Sequence, residues 1–377
     1  MYSKNTPPAI PPAGSHGRFL PDRYADARHV LDEAIAAHAF PGCAFGVLSN
    51  GEVVLADALG RFTYDKGSRA VTPKTVFDIA SITKVMATTA AAMLLYQRGL
   101  LRLETPLGEL LPGFIADRPA GDPARRVTLR HLLAHNSGLP GYIELFRTAT
   151  TPEELMRACL ELPLEAEPGA RAEYSDPGFI LLGKALAALT GEALATWASR
   201  EIFQPLSLEA TRFSPPPMAR SLIPPTEIDN TLRHRRIQGE VQDENAWLLG
   251  GAAGHAGLFS NVCDLLLFAR EMIEAAASSQ AARLFSASTI ELFSQRQSPQ
   301  GSSRALGWDT PSENSSSGRH FSAHSVGHLG YSGCSLWIDL DAGMAIALLT
   351  NRTWPGRGCQ LIRTVRPAFH DAVREAL

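Results

Sequence analysis

Ser81 and Lys84 stand three residues apart in the run Ser81-Ile82-Thr83-Lys84. Residues so spaced share a helix face, which brings a lysine amine within reach of a serine hydroxyl. A serine hydroxyl is a weak nucleophile until a neighbouring base takes its proton. A neutral lysine can be that base if burial lowers its pKa; arginine, always protonated, cannot. A helix N-terminus at this point also favours negative charge near the nucleophile. The turns that follow, residues 85–95, are almost wholly apolar or small. They predict a buried helix, and a buried lysine needs a reason. Taken alone, the spacing also fits a helix cap with an exposed lysine.

Two other segments carry side chains of use to such a pair. Tyr174-Ser175-Asp176 lies between Pro168-Gly169 and Pro177-Gly178, with apolar residues from Phe179 onward. Tyr174 is thus expected on a loop just before a helix, where a phenol can shuttle a proton. By itself it reads as a core tyrosine. Gly327-His328-Leu329-Gly330-Tyr331-Ser332-Gly333 enters a strand predicted at residues 335–340. Glycines let a substrate lie against a strand edge, where a backbone N–H can meet an oxyanion. By itself this segment reads as a glycine-rich turn before an edge strand.

The elements that must position these residues are legible in outline. Apolar residues at helical spacing (Ala27, Val30, Leu31, Ala34, Ile35) predict a helix over 22–37. Strands at 43–49 and 52–58 flank Asn50-Gly51, a strong hairpin signal. A helical run at 83–98 closes at Gly99. Further helices are expected at 129–134, 152–161, 178–190, 193–203, 262–277 and 288–295. The proline- and arginine-rich stretch 214–245 reads as a long ordered loop, and 312–318 as a polar linker. A second hairpin is expected from strands 335–340 and 344–350, then an amphipathic helix over 360–377 with Pro367 inside it. The pattern predicts an α+β fold: an antiparallel sheet built from both chain ends, flanked by terminal helices, with an inserted helical domain. The expected division is a flexible arm at 1–20, a sheet domain from 21–98 with 316–377, and a mostly helical domain at 99–315.

Composition narrows the functions. The chain has 377 residues, 45% hydrophobic and 19% charged, as in a globular protein with a large core. Its net charge of -3 gives no support to a nucleic-acid partner. Of 35 basic residues only five are lysine (Lys4, Lys66, Lys74, Lys84, Lys184). A lysine that persists in so arginine-rich a chain can have a role arginine cannot fill. The five scattered cysteines form no CxxC pair and suit neither a zinc knuckle nor a disulfide framework. No apolar leader or bilayer-length stretch is visible, so the expected setting is cytoplasmic, or periplasmic if a leader has been removed, with no membrane span.

The three motifs, in the order SxxK, YxN or YxD, [K/H]xG, resemble the serine beta-lactamase-like superfamily. The similar members are class C beta-lactamases, D-alanyl-D-alanine carboxypeptidases and the esterases that share their fold. Val76-Phe77-Asp78-Ile79-Ala80 leads into the serine as is usual there. Residues 127–139 are similar to the family's HLLxHxSGL segment. Residues 239–246 and 254–260 are similar to a subgroup related to penicillin-binding protein 4B, which often carries YSD. The resemblance covers residues 20–377 and implies a beta-lactamase/transpeptidase-like fold. It implies Ser81 as acylated nucleophile, with Lys84 and Tyr174 sharing general-base and general-acid work. It puts the oxyanion between the backbone N–H groups of Ser81 and Tyr331, beside Gly330. His328 stands where other members have lysine, facing the substrate and the proton network. Asp176 replaces an asparagine that holds a substrate amide, and Gln242 a common histidine.

The implied activity is hydrolysis of an ester or amide through an acyl-enzyme, on a small molecule or short peptide and without cofactor or metal. An ionised Asp176 donates no hydrogen bond and repels anions, and an unperturbed His328 is mostly neutral at pH 7. Both features, with the expected cytoplasmic setting, favour an esterase or D-Ala-type peptidase over a class C-like beta-lactamase. A non-catalytic binding or scaffold protein of the same fold is the alternative of another class. His131 and His135, four apart on a helix, read as structural rather than zinc ligands. The Arg233–Arg236 cluster reads as a solvated or ion-paired loop.

Overall fold

The computed structural model describes residues 22–377, so the arm expected at 1–20 lies outside the described residues. Helix α1 (Ala25–Ala36) leads into strands β1 (Gly42–Ser49) and β2 (Glu52–Gly60). Both turn residues, Asn50 and Gly51, have positive φ (52° and 77°), as the tight hairpin requires. The chain supplies the rest of this sheet near its other end, as β3 (Ser325–Leu329), β4 (Ser335–Asp339) and β5 (Met344–Thr350). The sheet is antiparallel with spatial order β2-β1-β5-β4-β3. Its centre joins the two ends, with Cys43 opposite Thr350 and Ser49 opposite Met344.

Strand alternation gives the sheet two apolar faces. Phe45, Val47, Trp337, Ile346 and Leu348 pack with Leu31 of α1 and with Phe369 and Val373 of the last helix (Ile362–Glu375). The alternate residues, Ala44, Leu48, Leu336, Ile338, Ala347 and Leu349, face the larger core, where helix Val262–Ala276 supplies Leu265, Leu266 and Ala269. Pro367 is accommodated inside the last helix. Between Gln97 and Ser325 the chain runs mainly through helical segments, among them Pro152–Glu161, Asp176–Thr190 and Val262–Ala276.

Two local expectations are corrected. The stretch 214–245 is not one loop: Pro225–Asp229 pairs antiparallel with Arg235–Gln238. Asp229 organises the turn by accepting from Thr231 N, Leu232 N and the buried Arg233 guanidinium. Arg233 also donates to the Val241 and Gln242 carbonyls, so it is a paired, buried cation. The second correction concerns His328. It does not sit on a turn leading into an edge strand; it lies on β3, which is itself the edge. Gly327 resembles a turn residue in sequence, but it is glycine because the Trp337 indole lies on it. A Cβ there would come within 2.3 Å of the ring.

No single helix among the described residues is long and apolar enough to cross a bilayer. The carboxylates of Glu227, Asp229 and Glu244 converge, and Arg357 and Arg233 pair with them.

Candidate active site

Ser81 sits in a short 3-10 turn, Ala80–Ile82, that opens a helical run. The run continues as a π-helical stretch, Lys84–Thr89, and then as α2 (Ala90–Gln97). A π segment in a helix often marks a functional site. Ala80 has φ 47°, rare for a residue with a side chain. The buried Asp78 carboxylate holds it there, accepting from Ala80 N at 2.8 Å and from Gln242 N at 2.7 Å. Burial pushes the Asp78 pKa up to about 6.

The spacing argument for Ser81 and Lys84 is realised as contact. Lys84 Nζ donates to Ser81 Oγ at 2.9 Å, to Asp176 Oδ1 at 2.6 Å and to the His255 carbonyl at 3.1 Å. Lys84 is fully buried, while Ser81 stays half-exposed. Burial pulls the lysine pKa down, but the adjoining Asp176 carboxylate, with Tyr174, more than offsets it. The ammonium is therefore held above its ordinary range. Burial alone led to the opposite expectation, and Asp176 is the reason for the difference. It is the first residue of α3 (Asp176–Thr190), whose N-terminus Ser175 caps by accepting from Gly178 N. The Asp176 carboxylate is thus spent on Lys84.

Tyr174 lies just before that helix, as expected, with its ring centroid 4.8 Å from Lys84 Nζ. Burial raises its pKa and the neighbouring ammonium only partly counters this, so the phenol keeps its proton. The His135 ring lies against it, tilted by 38° at 4.7 Å between centroids, and accepts from Ser175 N at 3.0 Å, fixing the loop. This is a structural role, as expected for His135. His131 instead completes a capping box with Thr128.

His328 approaches Tyr174 at 5.8 Å between ring centroids. Its Nδ1 lies 2.8 Å from the Leu329 carbonyl. A carbonyl only accepts, so Nδ1 carries the proton and Nε2 keeps a lone pair. Nε2 is buried with no partner among the described residues. Burial, reinforced by Lys84 and Arg304, holds the His328 pKa well below its ordinary value. His328 is therefore a neutral acceptor and offers no positive charge to a substrate carboxylate.

The turn Gly330–Gly333 is pressed against the segment that leads into Ser81. A Cβ on Gly330 would meet the Ile79 carbonyl at 2.5 Å, and Ser332 Oγ donates to the Asp78 carbonyl at 2.8 Å. Arg366, buried on the last helix, donates to the carbonyls of Gly330, Gly333 and Cys334. This leaves the exposed Tyr331 at the mouth of the site. Among the described residues, neither the Ser81 nor the Tyr331 backbone N–H donates a hydrogen bond. Two such N–H groups on adjoining segments suit an oxyanion.

Arg366, Asp78, His255 and Arg304 were not singled out for the site from sequence. Asp78 and His255 do lie inside the family-like segments. Arg366 and Arg304 stand in no motif, and only the fold reveals them.

A beta-lactamase family profile matches residues 27–367. The chain is 31% identical to the N-acetylmuramyl-L-alanine amidase of Bacillus subtilis (strain 168), over 89% of this chain and 82% of that protein. It is 29% identical to an Escherichia coli O157:H7 protein provisionally described as a D-alanyl-D-alanine carboxypeptidase, over 83% of this chain and 79% of that one. Among solved structures, EstCE1, "a hydrolase with promiscuous acyltransferase activity", superposes with a TM-score of 0.75 at 21% identity, covering 93% of this chain and 98% of that one. The profile match and the amidase relative, each spanning most of the sequence, show that the chain belongs to the beta-lactamase family of serine hydrolases.

Proposed function

We propose that this hydrolase works through an acyl-enzyme on Ser81, splitting an ester or an amide of the D-alanyl peptide type. The observation that carries the reading is a fully buried lysine amine 2.9 Å from a half-exposed serine hydroxyl. The site lies between the sheet unit, 21–98 with 316–377, and the helical unit, 99–315. Ser81, Lys84, His328 and Tyr331 come from the first, Tyr174 and Asp176 from the second.

In the reactive form Lys84 is the free amine and takes the Ser81 proton as Oγ attacks the carbonyl. The carbonyl oxygen gains charge between the Ser81 and Tyr331 N–H groups. Tyr174, protonated and beside Lys84, hands a proton to the leaving group. Water then attacks the Ser81 ester and the same groups work in reverse. The names of the amidase and carboxypeptidase relatives support amide substrates, and EstCE1 supports acyl transfer on this fold.

Labelling with a fluorophosphonate, followed by peptide mapping, tests this reading. An adduct on Ser81 is expected. Folded protein with no adduct would overturn it in favour of a binding module. Turnover of p-nitrophenyl butyrate, nitrocefin and a D-Ala-D-Ala peptide then ranks the substrate classes.

The Asp176–Lys84 pair sets the pH dependence. Asp176 raises the Lys84 pKa, so at a given pH it reduces the fraction of free amine. Asp176→Asn removes that charge and leaves burial to act downward. The ascending limb of kcat/KM should then move to lower pH by about one to three units, the usual effect of an adjacent opposite charge. A limb that stays in place would show that Lys84 does not set it.

A further inference from the structure

Arg366 is a buried cation without a counter-ion. Among the described residues no carboxylate pairs with it. Its Nη2 donates to the carbonyls of Gly330 at 2.7 Å and Cys334 at 2.8 Å, and its Nε to that of Gly333 at 3.2 Å. Burial pulls its pKa down to about 10, so it stays charged at neutral pH. Arg352, also buried, holds the same turn. Its Nε donates to the Tyr331 carbonyl at 2.8 Å, and its guanidinium carbon lies 4.5 Å from the Tyr331 ring centroid. Asp78 gives its carboxylate to Ala80 N and Gln242 N, so it neutralises neither arginine. Buried charges without opposite partners cost stability. Neutral donors could tie down a turn, so the charge itself calls for a use.

The peptide geometry names that use. Gly330 O and Tyr331 N belong to one peptide unit, and in a trans peptide the C=O and N–H point in opposite directions. The Gly330 oxygen is fixed by Arg366 and by Gly333 N at 3.0 Å. The Tyr331 N–H is thereby turned to the other side of the unit, where it donates to nothing among the described residues. A cation at the oxygen end also draws electrons through the amide. This makes the N–H a stronger donor, as neighbours in a hydrogen-bonded chain polarise one another.

We infer that Arg366 is a positioning residue for the oxyanion, aiming and polarising the Tyr331 N–H through the Gly330–Tyr331 peptide. This rests on the acyl-enzyme reading, in which that N–H receives the carbonyl oxygen. Arg366 itself touches no substrate. It acts from the last helix, on the side of the turn away from the reacting atoms.

Arg366→Gln and Arg366→Lys test the inference, with p-nitrophenyl butyrate as substrate. Acylation and deacylation both pass through an oxyanion. Arg366→Gln should therefore lower kcat and kcat/KM together by about 10- to 100-fold, less than the loss of a direct oxyanion donor. Arg366→Lys keeps the charge but not the fork, so its rates should lie between those of Arg366→Gln and the wild type. A spectroscopic readout separates this role from mere support of the turn. The acyl-enzyme is trapped with p-nitrophenyl pivalate labelled with carbon-13 at the carbonyl, and the carbonyl stretch is read by infrared difference spectroscopy. A carbonyl held by stronger donors absorbs at lower frequency. The band should rise in Arg366→Gln and rise less in Arg366→Lys. A folded Arg366→Gln protein with the wild-type kcat, or with the wild-type band, would overturn the inference. If that variant does not fold, Arg366→Lys decides: a partial loss with a raised band supports the role, and wild-type rate and band refute it. Failure of the acyl-enzyme reading looks different, because the wild type itself then forms no adduct on Ser81 and shows no such band.

Discussion

Ser81→Ala should lower kcat on p-nitrophenyl butyrate by roughly 10⁴-fold or more and abolish labelling by a fluorophosphonate. On the proposed mechanism the size follows from deleting the atom that would form the covalent bond. The oxyanion donors and the binding surface remain, so a residue of rate above the uncatalysed reaction should persist. The fold should be indifferent. Ser81 is half-exposed, and its hydroxyl loses one hydrogen bond, from Lys84, worth about 1 kcal/mol. Circular dichroism and a urea midpoint close to those of the wild type would separate lost chemistry from lost structure. Undiminished turnover by a pure Ser81→Ala preparation would remove Ser81 from the mechanism.

Lys84→Arg should cost as much as deleting the amine, about 10²- to 10⁴-fold in kcat. An arginine keeps the positive charge and can still pair with Asp176, so an electrostatic role alone would survive the change. A role in taking a proton would not, because guanidinium does not release one at any working pH. Comparing Lys84→Arg with Lys84→Met isolates the point. Equal losses and a flat pH profile in both mark a base; a fully active Arg variant refutes one. The wild type adds a third reading. With Asp176 holding the ammonium, its kcat/KM should climb with pH through the neutral range.

What could be read in advance was what neighbours in sequence decide. Asn50-Gly51 set a hairpin through the φ values only such residues adopt easily. The reach from Ser81 to Lys84 was a matter of one helical turn. What escaped was decided by partners distant in the chain. The direction of the Lys84 shift depends on a carboxylate 92 residues away. Gly327 passed for a turn residue because Trp337, which covers it, belongs to the next strand. Arg304 and Arg366 reach the site from segments whose own sequences carry no catalytic pattern. Residues 214–245 hid a pair of strands because Asp229 closes the turn with its side chain, which proline density does not reveal.

The sheet that pairs Cys43 with Thr350 has a consequence for how the protein comes into being. On the ribosome, β1 and β2 emerge early and must wait for nearly the whole remaining chain before β5 reaches them. At about 5–20 residues per second that wait is on the order of tens of seconds. Ser81 and Lys84 exist through all of it, but Tyr331, on the turn after β3, and Arg366, which anchors that turn, are made near the end. A nascent or prematurely terminated chain therefore carries Ser81 and Lys84 without Tyr331. On the proposed mechanism hydrolytic power would appear only on completion, and the exposed edge of β1 is the surface a chaperone would need to guard until then.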